Sequence, residues 1–177
     1  MSFADDIFAR PGPILGSAGA LRGNPLDAFA RLATAENLDY ERVSQNEIHM
    51  TLAGLWCEHD VSITWDQARE QVDLALLFDS RAPGGRSDDI CRLLSLLNER
   101  LRCGHFDYWK YADTLVYRNS LSLAGGARIK IEQAMALLAG ALDAAERGYP
   151  ACQYVLWAGK TPEEALDTAL MDIAVHG

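Results

Sequence analysis

The sequence contains no Cys-x-x-Cys pair, no Gly-x-Ser-x-Gly elbow, no complete Gly-x-x-x-x-Gly-Lys-Ser/Thr loop and no Gly-x-Gly-x-x-Gly run. Those absences count against the usual zinc knuckles, serine hydrolases and phosphate cradles. Basic residues are also scarce: 16 Lys and Arg face 25 Asp and Glu, for a net charge of -9. A surface of that sign repels phosphate backbones over about 10 Å at moderate salt, so direct nucleic-acid binding is disfavoured. No apolar run approaches the roughly 20 residues a membrane helix requires. The stretch from Met1 to Leu21 carries Asp5, Asp6 and Arg10 without a continuous apolar centre, so neither export nor membrane insertion is expected. A cytoplasmic location follows as the expectation. The four cysteines, Cys57, Cys91, Cys103 and Cys152, lie within apolar patterns, which reads as reduced core thiols in a reducing compartment.

What is present is enough apolar material for a core. Hydrophobic residues make up 49% of 177 positions, and a chain of this length needs neither disulfides nor metals to fold. Residues 1–23, with Pro11, Gly12, Pro13, Gly16 and Gly19, read as a flexible arm. Residues 24–177 read as a single α+β domain. Asn24-Pro25-Leu26-Asp27 predicts a capped helix to about Glu36. Alternation then takes over: Ile48, Met50 and Leu52, and next Val61, Ile63 and Trp65, predict half-buried strands of a meander. Val72, Leu74, Leu76 and Phe78 alternate with Ala75 and Leu77, which predicts a central strand covered on both faces.

Beyond the Pro83-Gly84-Gly85 turn, Ser87 is the expected cap of a helix through Ile90, Leu93, Leu94, Leu97 and Leu101, with Gly104 ending it. The runs 106–111 and 115–123 predict a hairpin joined at Ala112-Asp113. Met135, Leu138, Leu142 and Tyr149 mark a third helix, which Gly148 and Pro150 should end or kink. Thr161-Pro162-Glu163-Glu164 forms a capping box ahead of a last helix with Leu166, Ala169, Leu170 and Ile173 on its apolar stripe.

Candidate chemistry is sparse. Cys57-Glu58-His59 and Cys103-Gly104-His105 would give a Cys₂His₂ set for zinc if the two pairs converged, although structural zinc sites use longer ligand spacings. This is the basis of an alternative reading, a small-molecule- or zinc-binding protein or enzyme using Cys57, His59, Cys103 and His105. His49 and His176 show no partner in the sequence, and Glu58, Asp60, Asp73 and Asp79 read as polar strand positions. Gly125-Gly126 reads as a turn toward the third helix. No catalytic, cofactor-binding or metal residue is assigned. Binding character resides in the aromatics: Phe106 and Tyr108 on one face of a strand, Trp109 and Tyr111 on the other, so that one set must meet a second core layer or a protein partner.

The runs Gly54-Leu55-Trp56-Cys57, Leu96-Leu97-Asn98-Glu99, Gly104-His105-Phe106-Asp107, Tyr149-Pro150-Ala151 and Trp157-Ala158-Gly159-Lys160 together resemble the YbjN domain family of bacterial proteins, described as sensory transduction regulators. The resemblance spans about Tyr40 to Met171. It implies a type III secretion chaperone-like fold, an antiparallel sheet flanked by helices, commonly dimeric, in proteins that hold partner polypeptides and catalyse nothing. Cys152 stands where the family pattern has an aromatic after Pro150-Ala151. The expectation is a non-enzymatic regulatory or chaperone-like homodimer, without a cofactor, that binds a protein partner on a sheet edge or in an apolar groove through Trp109, Tyr111, Phe106 and Tyr108.

Overall fold

The computed structural model describes residues 23–81 and 86–176, with the side chains of 79–81 and 173–176 left aside. The arm expected over residues 1–23, Gly23 apart, and the Pro83-Gly84-Gly85 turn lie outside the described residues, as do the side chains of Asp79, Ile173 and His176.

Helix α1 (Leu26–Glu36) leads into β1 (Tyr40–Ser44), β2 (Glu47–Ala53), β3 (Glu58–Asp66) and β4 (Gln71–Arg81). Helix α2 (Ser87–Asn98), β5 (His105–Trp109), β6 (Thr114–Ser122), α3 (Ile131–Leu156) and α4 (Pro162–His176) follow. The six strands form one antiparallel sheet in the order β1-β2-β3-β4-β6-β5. This is the α+β architecture, type III secretion chaperone-like, that the sequence implies.

Local chemistry explains most element ends. The Asn24 side chain accepts from the Leu26 amide at 2.9 Å, and Asn37 closes α1 in the left-handed conformation with φ 59°. The capping box before α4 forms as expected: the Glu164 amide donates to Thr161 Oγ1 at 3.3 Å, and the Thr161 amide to Glu164 Oε2 at 3.1 Å. Ser87 differs from expectation, because it is the first helical residue and Arg86 occupies the cap position without a side-chain cap bond. Helix α2 also stops earlier than Leu101. Its last residue, Asn98, turns its amide to β5, donating to the Phe106 carbonyl at 3.0 Å and accepting from the Phe106 amide at 2.7 Å. Gly104, with φ 70°, then places the chain so close to β6 that a Cβ there would lie 2.6 Å from the Arg118 carbonyl oxygen.

Register assigns the side chains to two faces. Ile48, Met50, Leu52, His59, Val61, Ile63, Leu74, Leu76, Phe78, Phe106 and Tyr117 point to one side and are buried. Helix α3 meets this side through alanines 134, 141, 144, 145 and 151, through Gly148 and through Leu138 and Val155. A stripe of small residues lets the helix approach the sheet, and Met135, expected to face the core, is exposed instead. On the opposite face the described side chains are half-buried or exposed, Val116 excepted. Strand β4 is therefore central, and among the described residues no helix packs over Ala75 and Leu77, where the sequence predicts cover on both faces.

Helix α3 is continuous through Pro150, so the proline does not end it, one of the two outcomes the sequence predicts there. Proline at 150 deprives the Glu146 carbonyl of its usual amide donor. The indole N–H of Trp56, in the β2–β3 connection, donates to that carbonyl at 3.2 Å. A donor from outside the helix thus replaces the missing one, and the orphaned carbonyl is satisfied.

Candidate functional site

The four aromatics of the β5 region separate in the structure. Phe106 is 4% exposed and packs against Phe78 and Tyr117, with ring centroids 5.9 and 5.5 Å away. It belongs to the core and presents no surface to a partner, which corrects its placement among the binding residues. Tyr108, on the same face, is half-buried, and its hydroxyl donates to Asp113, an interaction that raises the Tyr108 pKa above the usual phenol value. Trp109 lies on the opposite, helix-free face, half-buried, with the Arg118 guanidinium 6.0 Å from its ring. Tyr111 stands fully exposed in the turn that follows.

Around Trp109 the helix-free face has a definite composition. Leu77 sits opposite Val116, and Ala75 opposite Arg118. With Trp109 on the neighbouring strand they make an apolar centre. Thr51, Asp60, Ser62, Thr64, Asp73, Asp107 and Ser120 surround it in register. Arg118 is 3.6 Å from Asp107. The indole nitrogen of Trp109 is shielded from solvent and donates to no group among the described residues. Such a buried, unpaired donor is a cost that an acceptor brought by a partner would remove.

The edge of β5 is less inviting than the face. An edge strand offers unpaired amides and carbonyls to an incoming strand. Here the Asn98 side chain engages both backbone groups of Phe106, and the Asp107 carboxylate accepts the Tyr108 amide at 2.8 Å. The sheet-edge docking expected as one option is therefore obstructed at these positions.

The cysteine and histidine pairs do not converge. His59 points to the helix-covered face, whereas His105 pairs with Arg118 on the other. Strands β3 and β5 are three positions apart in the sheet, about 14 Å at the usual interstrand spacing. Among the described residues no three His, Cys, Asp or Glu side chains gather as a metal-binding group. Only Cys152 is the buried core thiol expected; its pKa is pushed up to about 12 by burial. Cys57 is half-buried, and Cys91 and Cys103 are exposed. Cys91 falls off the apolar stripe of α2, and Cys103 stays outside the core because Gly104 turns the chain before β5. His49 pairs with Glu47 Oε1 at 2.8 Å, a partner two residues away on the same face.

A second constellation lies where the β2–β3 connection meets α3. His59, 1% exposed, sits edge-on to Phe78 and Tyr149 at 5.9 and 6.0 Å. Its Nε2 is 3.4 Å from Glu146 Oε1, and its Nδ1 is 3.8 Å from Cys57 Sγ. Gly54 leaves the space this requires, since a Cβ there would come within 2.8 Å of the Cys57 carbonyl and 3.0 Å of the His59 ring. Glu146 is absent from the sequence-based candidates. Its signal is indirect: a proline four residues on, inside a helix, marks its carbonyl as needing an outside donor.

Comparison with known proteins agrees with this architecture. The family model for YbjN, described as "Putative bacterial sensory transduction regulator", matches residues 25–154. Among solved structures, the crystal structure of the ExsC–ExsE complex is similar over 72% of this chain and 92% of that one, at 19% identity and a TM-score of 0.53. The crystal structure of YbjN from E. coli, described there as a putative transcription regulator, matches over 85% of this chain and 92% of that one, at 13% identity and a TM-score of 0.47. No curated protein matches the chain.

Proposed function

Because the chain belongs to the YbjN family, we propose that it is a non-enzymatic regulatory protein that binds other polypeptides in a chaperone-like manner, as a cytoplasmic homodimer. The observation that carries this reading is the helix-free face of the sheet. Its apolar centre of Ala75, Leu77 and Trp109, seated over the buried Val116 inside a polar rim, has the layout of a protein interface, with a tryptophan near its middle. The indole N–H of Trp109, without an acceptor among the described residues, and the exposed ring of Tyr111 are contacts waiting for an acceptor and an apolar neighbour. The rim carries Glu47, Glu58, Asp60, Asp73 and Asp107 against Arg118. A partner segment with apolar side chains flanked by basic ones complements it. That a structure of similar fold has been seen in a complex, ExsC with ExsE, supports partner binding. Among the described residues no helix is long and apolar enough to cross a membrane.

The test is quantitative affinity capture from lysate of the source organism. The wild-type chain is compared with a Trp109→Ala/Tyr111→Ala variant of verified fold, and sedimentation velocity is run on both. Retention of a partner by wild type and its loss by the variant supports the reading. Equal retention by both moves the binding surface elsewhere, and a monomer that retains nothing removes the proposal.

A further inference from the structure

Cys57, a half-exposed thiol, and Glu146, a carboxylate on α3, both lie against the buried imidazole of His59. The sulfur is 3.8 Å from Nδ1 and 3.9 Å from Nε2 of His59, within reach of a sulfur hydrogen bond, and the carboxylate is 3.4 Å from Nε2. Glu146 Oε2 is shielded from solvent and accepts no hydrogen bond among the described residues.

We propose that Cys57 is a reactive thiol, a modification site for hydrogen peroxide and small electrophiles, with His59 as its base and Glu146 as the positioning group that holds His59. Moving the thiol proton to His59 is a transfer within the trio and leaves its net charge unchanged. The imidazolium so formed lies against the thiolate and has the Glu146 carboxyl 3.4 Å from its Nε2; an adjacent base held by a third group is the arrangement that activates a thiol nucleophile. In the reaction with peroxide, the Cys57 sulfur attacks one oxygen and the O–O bond breaks. The departing hydroxide takes the proton from His59 and leaves as water. Cys57 ends as sulfenic acid, oxidised by two electrons, and the peroxide is reduced by the same two. A purely structural role for His59 and Glu146, holding α3 to the sheet, makes no demand on the sulfur and leaves its reactivity ordinary.

The chain contains its own controls. Cys91 and Cys103 are more exposed than Cys57, and Cys152 is buried. Accessibility alone therefore ranks Cys57 below the first two, and an activated thiolate ranks it above them. Native full-length protein is alkylated with iodoacetamide near neutral pH, and modification at each cysteine is followed by peptide mass spectrometry. A parallel sample receives hydrogen peroxide and dimedone to trap sulfenic acid. Cys57 is expected to alkylate about tenfold faster than Cys91 and Cys103, and to carry the dimedone adduct. Glu146→Gln, checked for fold by circular dichroism, is expected to bring the Cys57 rate down to that of Cys91. A Cys57 rate at or below those of Cys91 and Cys103 in the wild type overturns the proposal. So does a rate unchanged by Glu146→Gln. Should that variant fail to fold, the wild-type ranking and the dimedone adduct decide the matter without it.

Discussion

The two faces of the sheet are made from the same strands and both carry aromatic side chains, yet those aromatics are placed to do different things. On the covered face, Phe78, Phe106, Tyr117, His59 and Tyr149 meet ring to ring beneath α3. On the open face, Trp109, three residues along β5 from Phe106, has a cation beside it and an indole N–H with no acceptor among the described residues. Aromatic identity does not separate these roles; strand parity does, because successive side chains alternate faces. The covered face is where the fold is held, and the open face is where a partner is proposed to be received.

The largest expected effect breaks the covered side. Phe106→Ala should destabilise the protein by about 3–5 kcal/mol through the cavity it leaves, whereas Trp109→Ala should cost roughly 1 kcal/mol and weaken partner retention instead. Urea denaturation midpoints at constant m-value separate the two. Comparable losses of stability would show that the open face is covered after all.

Overpacking gives the next contrast. A Cβ on Gly148 would lie 2.7 and 2.9 Å from ring atoms of Phe106, so Gly148→Ala should cost about 1–3 kcal/mol. Ala75→Val lies on the face that no helix among the described residues covers and should stay within about 0.5 kcal/mol. Thermal unfolding of the pair checks both values.

A subtler effect concerns the hook between the β2–β3 connection and α3. Trp56→Phe removes the donor to the Glu146 carbonyl and should cost about 1 kcal/mol. In a Pro150→Ala background, where a backbone amide can bond to that carbonyl, the same change should cost less. A double-mutant cycle measures the difference. Strict additivity would mean that the indole contributes packing alone.

The smallest effect lies on the helix surface. The hydrogen bond from Arg92 holds the Glu163 carboxyl below its ordinary value of 4.5, and Arg92 is raised by the same bond. A carboxyl depressed in the folded state contributes stability that is present above its unfolded value and is lost as pH falls through the folded one. Arg92→Ala should therefore flatten a shallow acid-side slope. Because both groups are exposed, salt should erase most of the contrast with wild type. Melting temperatures across the acid range, at low and high salt, are the check.

Much of this architecture is legible in the sequence, and the failures have a common cause. The strands around Ile48–Leu52 and Val61–Trp65, the α2 stripe from Ile90 to Leu97 and the Thr161–Glu164 capping box are local patterns, and each forms where its pattern places it. The continuity of α3 was not legible, because the donor that makes Pro150 tolerable comes from Trp56, 90 residues earlier than the Glu146 carbonyl it serves. What covers the second side of β4 was not legible, because Ala75 and Leu77 look the same whether a helix or a partner is to cover them. The convergence of Cys57-x-His59 with Cys103-x-His105 failed because strand parity puts the two histidines on opposite faces. For the candidate surface, the aromatic strand was visible in the sequence, but its division into Phe106 in the core and Trp109 outside required the pairing with Tyr117 and Thr114.

Site-specific photocrosslinking tests the division between the faces most directly. A benzoylphenylalanine is placed at Ser120, exposed on the open face, and in a second protein at Met135, exposed on the outer side of α3. Adducts with a partner chain or a second copy from position 120, and none from position 135, are the expected result. Adducts from position 135 with none from position 120 would contradict the assignment of the open face as the binding surface.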